Sequence, residues 1–219
     1  MTLVIKIGAD TKKLLRDLAK ISSRQGFQAS ILRFFDRASS RAAGYVSRNM
    51  LSGQRLNRRT GTLARSILGR SELVKGVPGM RIGVFRGPAL AYAGIHEEGG
   101  TIVPKKAKAL AIPMGPSLTA AGVEKFGGPR EYPGALKFVP FRSSGVAIGG
   151  LFDAASMGPN GLDGAILVYL LVTKVRIKAK HYLRDGVREY IDQQLIGELN
   201  EYLKSLIAGP KILGQEVAV

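Results

Sequence analysis

The chain contains no cysteine and no tryptophan, and only two of its 219 residues are histidine. The absence of cysteine excludes a disulfide framework, a thiolate zinc site and a cysteine nucleophile. Apart from the N-terminus, the longest apolar run covers residues 165–172, far short of the roughly 20 residues that a membrane-spanning helix needs. The apolar run at the N-terminus is too short for a signal peptide. We therefore expect a soluble protein, made in a cytoplasm, with no membrane partner.

Acidic residues are scarce, because 16 Asp and Glu stand against 33 Lys and Arg, which gives a net charge of +17. The excess is uneven. Residues 1–70 alone carry 15 Lys and Arg against three Asp. Such a regional excess predicts an anionic partner, either a nucleic acid or an acidic protein surface.

The length and the apolar content of 45% are typical of one globular domain with a hydrophobic core. We predict an α+β fold in which a small, mainly antiparallel sheet packs against two or three helices. The domain is expected to cover residues 1–207, with a tail at 208–219. Residues 114–164 are rich in glycine and proline and are interpreted as an insertion or long loop, with short strands at "LKFVPF" and "GVAIGG".

Apolar residues at helical spacing predict three longer helices. The first begins at Asp10 or Thr11 and runs to about Ser23. The second covers residues 27–51 and has an apolar face and an opposite basic stripe, which consists of Arg33, Arg37, Arg41 and Arg48. The third is long and covers residues 182–207.

Alternating patterns predict the strands. "TLVIKIG" is a strand, and "LVKGV" with "GMRIGVF" is a hairpin. "ALAYAGIHEEGG" is a short helix ending at Gly99, and "TIVPKKAKALAIP" is a second hairpin with a basic tip. "AILVYLLVTKVRIKAK" has the length and composition of a central strand.

The segment "YAGIHEEGGTIVPKKAKALAIP", residues 92–113, combines a histidine, two carboxylates and two glycines, residue types that also occur in metal, phosphate-binding and catalytic sites. An HExxH zinc motif needs a second histidine at position 100, which is Gly100. A phosphate-binding loop leads from glycines into a helix, whereas this segment leads out of one. Glu97 and Glu98 are adjacent, so they point in different directions on a helix rather than across a cleft. With no GxSxG motif either, the sequence predicts no enzyme, no cofactor and no metal site.

A structural interpretation of the same segment accounts for more of its residues. Gly99 and Gly100 make the turn at the helix exit, and His96 stabilises this turn by a hydrogen bond. Lys105, Lys106 and Lys108 project outward from the second hairpin, where they are available to a neighbouring molecule.

Three blocks in order carry a resemblance to a known family: "RRTGTLARSI" at 58–67, the segment at 92–113, and "AKHYLRDGVREYI" at 179–191. Together they resemble the tail-completion (tail terminator) proteins of tailed bacteriophages, including the Mu-like virion morphogenesis family. The match extends over most of the chain apart from residues 114–164.

The resemblance implies a virion protein that forms a ring, usually of six copies, at the head-proximal end of the tail tube. Its partners would be sister subunits, the tail tube protein and the head-closure or connector proteins of the neck, with the genomic DNA passing through the ring. Carried over by position, Gly61, Leu63 and Ile67 would be turn and packing residues, and His96, Glu97, Gly99 and Gly100 would shape the helix exit. Seven basic residues are candidates for contact with neighbours: Lys105, Lys106, Lys108, Arg55, Arg58, Arg59 and Arg65.

Two alternatives remain open at this stage. One is a head-closure or minor capsid component of the same particle, which would differ from a tail terminator in its location in the particle and not in its physical properties. The other is a DNA-binding protein that uses the basic N-terminal third, for which a steep dependence of affinity on salt is expected.

Overall fold

The computed structural model describes residues 2–5, 24–142, 145–159 and 161–208. The predicted helix ending at Ser23 and most of the predicted tail lie outside these residues. The described chain is α+β with antiparallel sheets, as the sequence predicts. The described residues form two compact units, the first within residues 1–97 and 180–219 and the second within residues 98–179.

The first unit is built around a long helix, α1 (Arg24–Asn49). Its apolar residues recur every three or four positions and are buried, including Ile31, Phe35 and Val46. Burial of each such side chain contributes roughly 1.5–3 kcal/mol relative to exposure. The predicted basic stripe on the opposite face is exposed, so this helix is confirmed.

Helix α1 packs on a three-stranded antiparallel sheet of order β1–β3–β2, formed by β1 (Thr2–Ile5), β2 (Ile67–Val74) and β3 (Val77–Val84). The predicted hairpin between β2 and β3 is confirmed, with a two-residue turn at Lys75 and Gly76. A short helix, α2 (Thr62–Ser66), precedes β2. The helix and the sheet approach closely at Gly69, where a Cβ would lie 2.1 Å from the carbonyl oxygen of Ser39.

The C-terminal part of the first unit is a continuous helical segment, as predicted. A shorter helix, α3 (Leu90–Glu98), lies earlier in the chain. The C-terminal helical segment consists of α4 (Tyr182–Tyr190), a π-helical turn (Ile191–Leu195) and α5 (Ile196–Ala208). Its buried face includes Leu183, Val187, Tyr190, Leu195 and Leu199, which join the core formed by α1. The π-helical turn accommodates one extra residue per turn, a feature that periodicity alone does not reveal.

The second unit contains two sheets. A two-stranded sheet pairs β4 (Gly100–Ile102) with β9 (Val175–Ile177). A four-stranded sheet has the order β5–β8–β7–β6, with β5 (Leu110–Pro113), β6 (Leu136–Pro140), β7 (Ala147–Asp153) and β8 (Leu167–Val172). All its neighbours are antiparallel.

Two strand predictions need correction. The hairpin predicted in "TIVPKKAKALAIP" is wrong, because β4 pairs with β9 and β5 pairs with β8, so the two halves belong to different sheets. The single long strand predicted in residues 165–180 is divided into β8 and β9 by a bend at Thr173. The reason is the same in both cases, since β4 pairs with β9 whereas β5 pairs with β8, so the two halves of each segment belong to different sheets.

The glycine- and proline-rich residues 114–164 contain β6 and β7, at the positions of the two short strands predicted there. They also contain three 3₁₀ turns. Tyr169 on β8 is fully buried, and burial raises the pKa of its hydroxyl, with a smaller effect from Glu124. In the described part of the chain, no helix is both long and apolar enough to cross a membrane.

Candidate functional site

Glu97, in the last turn of α3, is the most unusual side chain of the segment that the sequence singles out. It is charged, yet only 1% of it is exposed. One carboxylate oxygen accepts a hydrogen bond from the backbone N–H of Leu183 (2.8 Å) and the other from the backbone N–H of Arg184 (2.9 Å). Glu97 therefore binds the N-terminus of α4, 86 residues further along the chain.

This contact satisfies a need of α4 that its own sequence leaves open. The first N–H groups of a helix have no partner within the helix, and their positive partial charge favours a carboxylate. The residue before α4, His181, has a left-handed backbone (φ 48°) and makes no side-chain capping bond. Glu97 thus replaces the usual cap, through charge-assisted hydrogen bonds that are stronger than neutral ones.

Two backbone hydrogen bonds hold the same two segments together. The N–H of Lys180 donates to the carbonyl of His96 (2.9 Å), and the N–H of His181 donates to the carbonyl of Glu97 (3.1 Å). The hydroxyl of Tyr182 lies 3.4 Å from the carbonyl oxygen of Ala93. We call this arrangement of residues 93–97 and 180–184 the α3–α4 joint.

The titratable groups of the joint are shifted by their surroundings. Burial raises the pKa of Tyr182, and the neighbouring charge of Glu97 adds to this effect. Burial also lowers the pKa of His96, with a further contribution from the positive charge of Lys180. His96 therefore resists protonation in the folded protein, which suits a packed residue next to Tyr92.

The two predicted turn glycines follow α3. Gly99 has a left-handed backbone (φ 75°), and a Cβ there would lie 2.7 Å from the backbone nitrogen of Ala179 and 3.0 Å from the carbonyl oxygen of Ile177. Because of the left-handed backbone and the lack of space for a Cβ, any residue larger than glycine would be strained at position 99. Gly100 is the first residue of β4.

The predicted contact lysines lie between β4 and β5, in a stretch without strand or helix. Lys105, Lys106 and Lys108 are all exposed, as are Val103 and Ala107. We call residues 103–109 the lysine segment. Lys108 also lies at the edge of an apolar cavity of about 660 Å³ that is lined by Phe138, Leu151 and Leu171.

The four predicted contact arginines are exposed and belong to the first unit. Arg55 forms an ion pair with Asp185 (3.0 Å). Arg58 donates to the carbonyl of Ser47 (3.0 Å) and Arg65 to the carbonyl of Thr60 (3.1 Å). Gly61, predicted as a turn residue, has φ 73° and immediately precedes α2.

The basic stripe of α1 is less available than the sequence suggests. Arg41 forms an ion pair with Glu198 and also donates to the hydroxyl of Tyr190 (3.3 Å). Part of the positive charge predicted on this face is therefore used to hold the C-terminal helices.

The described residues contain no group of three or more His, Asp or Glu side chains that could hold a metal ion. Comparisons with protein-family models, with curated proteins and with solved structures found no match. The family resemblance consequently depends on the three sequence blocks alone and stays a prediction.

Sequence reasoning placed Glu97 at the helix exit but missed its role as a distant cap. Two signals pointed to this role. Ala93 and Glu97 are four residues apart, on one face of α3, and both are buried. The residues before Tyr182, "KAKH", include no Ser, Thr, Asp or Asn to cap the helix.

Proposed function

We propose that this chain is a structural subunit of a tailed-bacteriophage virion, which assembles into a ring at the head-proximal end of the tail. There it terminates the tail tube and joins the tail to the neck. The observation that carries this proposal is the α3–α4 joint, because it brings together two of the three blocks on which the family resemblance rests. Its carboxylate, the group most suggestive of catalysis, is occupied in holding the start of α4, and the imidazole of His96 packs next to Tyr92.

The charge distribution supports a ring in which unlike surfaces meet. A ring closes through heterologous contacts, in which one patch of a subunit contacts a different patch of its neighbour. The lysine segment is one such patch. The C-terminal helical segment, residues 182–208, is a complementary one, since it carries five carboxylates against two arginines and one lysine.

Two of these five carboxylates are the best candidates for contact. Asp185 and Glu198 form ion pairs with Arg55 and Arg41, and Glu189 lies 3.3 Å from the hydroxyl of Tyr45. Asp192 and Glu201 are exposed. Glu201 forms an ion pair with Lys204 (2.8 Å), but both side chains of this pair are largely exposed, so the carboxylate stays accessible to a neighbour. In the proposed ring, the lysine segment of one subunit faces these two carboxylates of the next.

The mass of the assembled particle tests the proposal. Size-exclusion chromatography with light scattering, followed by negative-stain imaging, is expected to show rings, either free or on the ends of tail tubes. Phage in which the gene is disrupted should accumulate separate heads and tails. A chain that stays monomeric both in solution and in the mature particle, or normal virions without the gene, would contradict the proposal.

A further inference from the structure

A second feature of the first unit is unusual in its composition. Residues 48–71 contain six arginines, no lysine and no carboxylate. Four of them are Arg55, Arg58, Arg59 and Arg65, which we call the arginine cluster. Arginine differs from lysine because its planar guanidinium offers five N–H donors in a geometry that matches two oxygens of one phosphate.

The structure brings members of this cluster together around Gly61. A Cβ at Gly61 would lie 2.8 Å from one terminal nitrogen of Arg65 and 3.6 Å from the side-chain Cδ of Arg58. The two arginines therefore flank one point of the loop. Their hydrogen bonds to the carbonyls of Ser47 and Thr60 orient them, and each of these bonds uses one of the five donors.

The surroundings add further hydrogen-bond donors and a carboxylate. The hydroxyls of Thr60 and Thr62 lie 2.9 Å apart at the same turn, and hydroxyl groups commonly contact phosphates in DNA complexes. The carboxylate of Asp185 pairs with both Arg55 (3.0 Å) and Arg184 (3.2 Å), so it is shared between two guanidinium groups and orients Arg55.

The chemistry of the loop favours one kind of anionic partner. Protein interfaces are usually centred on buried aromatic or large apolar side chains, and single-stranded nucleic acids need aromatic residues for stacking. Residues 52–62 contain no aromatic residue, and their one large apolar side chain, Leu56, packs against the core. A surface of arginines and hydroxyls with no apolar centre fits regularly spaced phosphates.

We propose that the arginine cluster binds the phosphate backbone of double-stranded DNA without reading its sequence. This inference concerns a different surface from the lysine segment and does not depend on ring formation. Within the proposed ring, it would assign the contact with DNA to the first unit.

The test is a salt titration of DNA binding by the full chain. Anisotropy of a labelled duplex of mixed sequence would be measured between about 50 and 200 mM salt, where counterion release gives a slope of about 0.9 per phosphate contacted. The triple variant Arg58→Gln, Arg59→Gln, Arg65→Gln is expected to lower this slope by about 2–3 and to weaken binding on the order of 10-fold or more.

A matched control separates the surface from the total charge. The variant Lys137→Gln, Lys174→Gln, Lys178→Gln removes three exposed positive charges from the second unit, outside the lysine segment, and is expected to change the slope by less than about 1. Equal losses in the two variants would overturn the proposal, as would absence of DNA binding by the unmodified chain. Poly-glutamate that competes as well as DNA at equal charge would also overturn it and would indicate an acidic protein partner instead.

A measurement on the unmodified chain covers the case in which the arginine variant does not fold. Phenylglyoxal modifies accessible arginines, and peptide mass spectrometry reports which ones. Bound DNA should protect the arginine cluster but not the exposed Arg142 of the second unit. Equal protection at both places would contradict the proposal. Light scattering on the same samples reports ring formation separately, so failure of the ring and failure of DNA binding are distinguishable.

Discussion

The α3–α4 joint and the lysine segment lie within a dozen residues of each other in the sequence, but their physical environments are opposite. In the joint, a buried carboxylate and two backbone carbonyls each accept hydrogen bonds from the start of α4 or the residues just before it. In the lysine segment, three ammonium groups are exposed on a stretch without regular structure. One block of sequence, residues 92–113, therefore contains both a buried structural contact and a proposed assembly surface. Changes in the joint should cost stability, whereas changes in the lysine segment should cost assembly.

The largest effect is expected at Glu97. Glu97→Ala would leave two N–H groups at the start of α4 without an acceptor, a buried one at Leu183 and a partly buried one at Arg184. It would also remove the charge that compensates them. We expect a loss of about 3–5 kcal/mol in the free energy of unfolding. The neighbouring exposed Glu98 provides the control, since Glu98→Ala should cost no more than about 0.5 kcal/mol. Urea denaturation of both variants measures these free energies. Equal losses of stability would mean that Glu97 contributes no more to the fold than the exposed Glu98.

Gly99 and Gly76 allow a second comparison, between two glycines with nearly the same backbone conformation. Gly99 has φ 75° and Gly76 has φ 78°, but a Cβ at Gly76 meets nothing within 4 Å. Gly76→Ala should therefore cost only the left-handed conformation, about 1–2 kcal/mol. Gly99→Ala should cost about 1–3 kcal/mol more, because the new methyl group collides with the backbone near Ala179. Similar decreases in melting temperature for the two variants would show that the backbone near Ala179 leaves room for a methyl group at position 99.

The pH dependence of stability probes His96. Because its pKa is lower in the folded than in the unfolded protein, the unfolded state binds more protons in this range. Stability from this group is therefore present above the unfolded pKa of about 6.5 and is lost as the pH falls through and below it. His96→Gln should make the stability curve between about pH 7 and 5 shallower, by at most about 1.4 kcal/mol per pH unit. An unchanged slope would mean that His96 is protonated equally easily in both states.

The smallest effect on stability is expected in the lysine segment. Replacement of Lys105, Lys106 and Lys108 by glutamine should change the free energy of unfolding by less than about 0.5 kcal/mol, as is usual for exposed residues. The same variant should assemble less well at equal concentration, as measured by light scattering. A large loss of stability would mean that these lysines support the fold of the second unit and do not simply form an assembly surface.

The parts of the fold that could be predicted are those specified by neighbouring residues. The buried face of α1, the β2–β3 hairpin and the C-terminal helical segment follow from local periodicity. The pairings of β4 with β9 and of β5 with β8 could not be predicted in this way, because alternation identifies a strand but not a distant partner. The capping role of Glu97 was missed for the same reason, since it depends on a helix that begins 85 residues later at Tyr182.

The proposed pairing of the lysine segment with Asp192 and Glu201 can be tested by exchanging the charges of the two surfaces. Lys105→Glu, Lys106→Glu, Lys108→Glu in one variant, and Asp192→Lys, Glu201→Lys in another, should each give subunits that do not assemble, because like charges then face each other. Mixing the two variants should restore rings in which the two alternate, because each lysine-segment position then faces the opposite charge on its neighbour. Combining all five changes in one chain should also restore assembly, since every contact is again between opposite charges. Restored rings of wild-type mass in light scattering are the predicted result. Full assembly of either separate variant, or no recovery in the combined chain, would contradict the account.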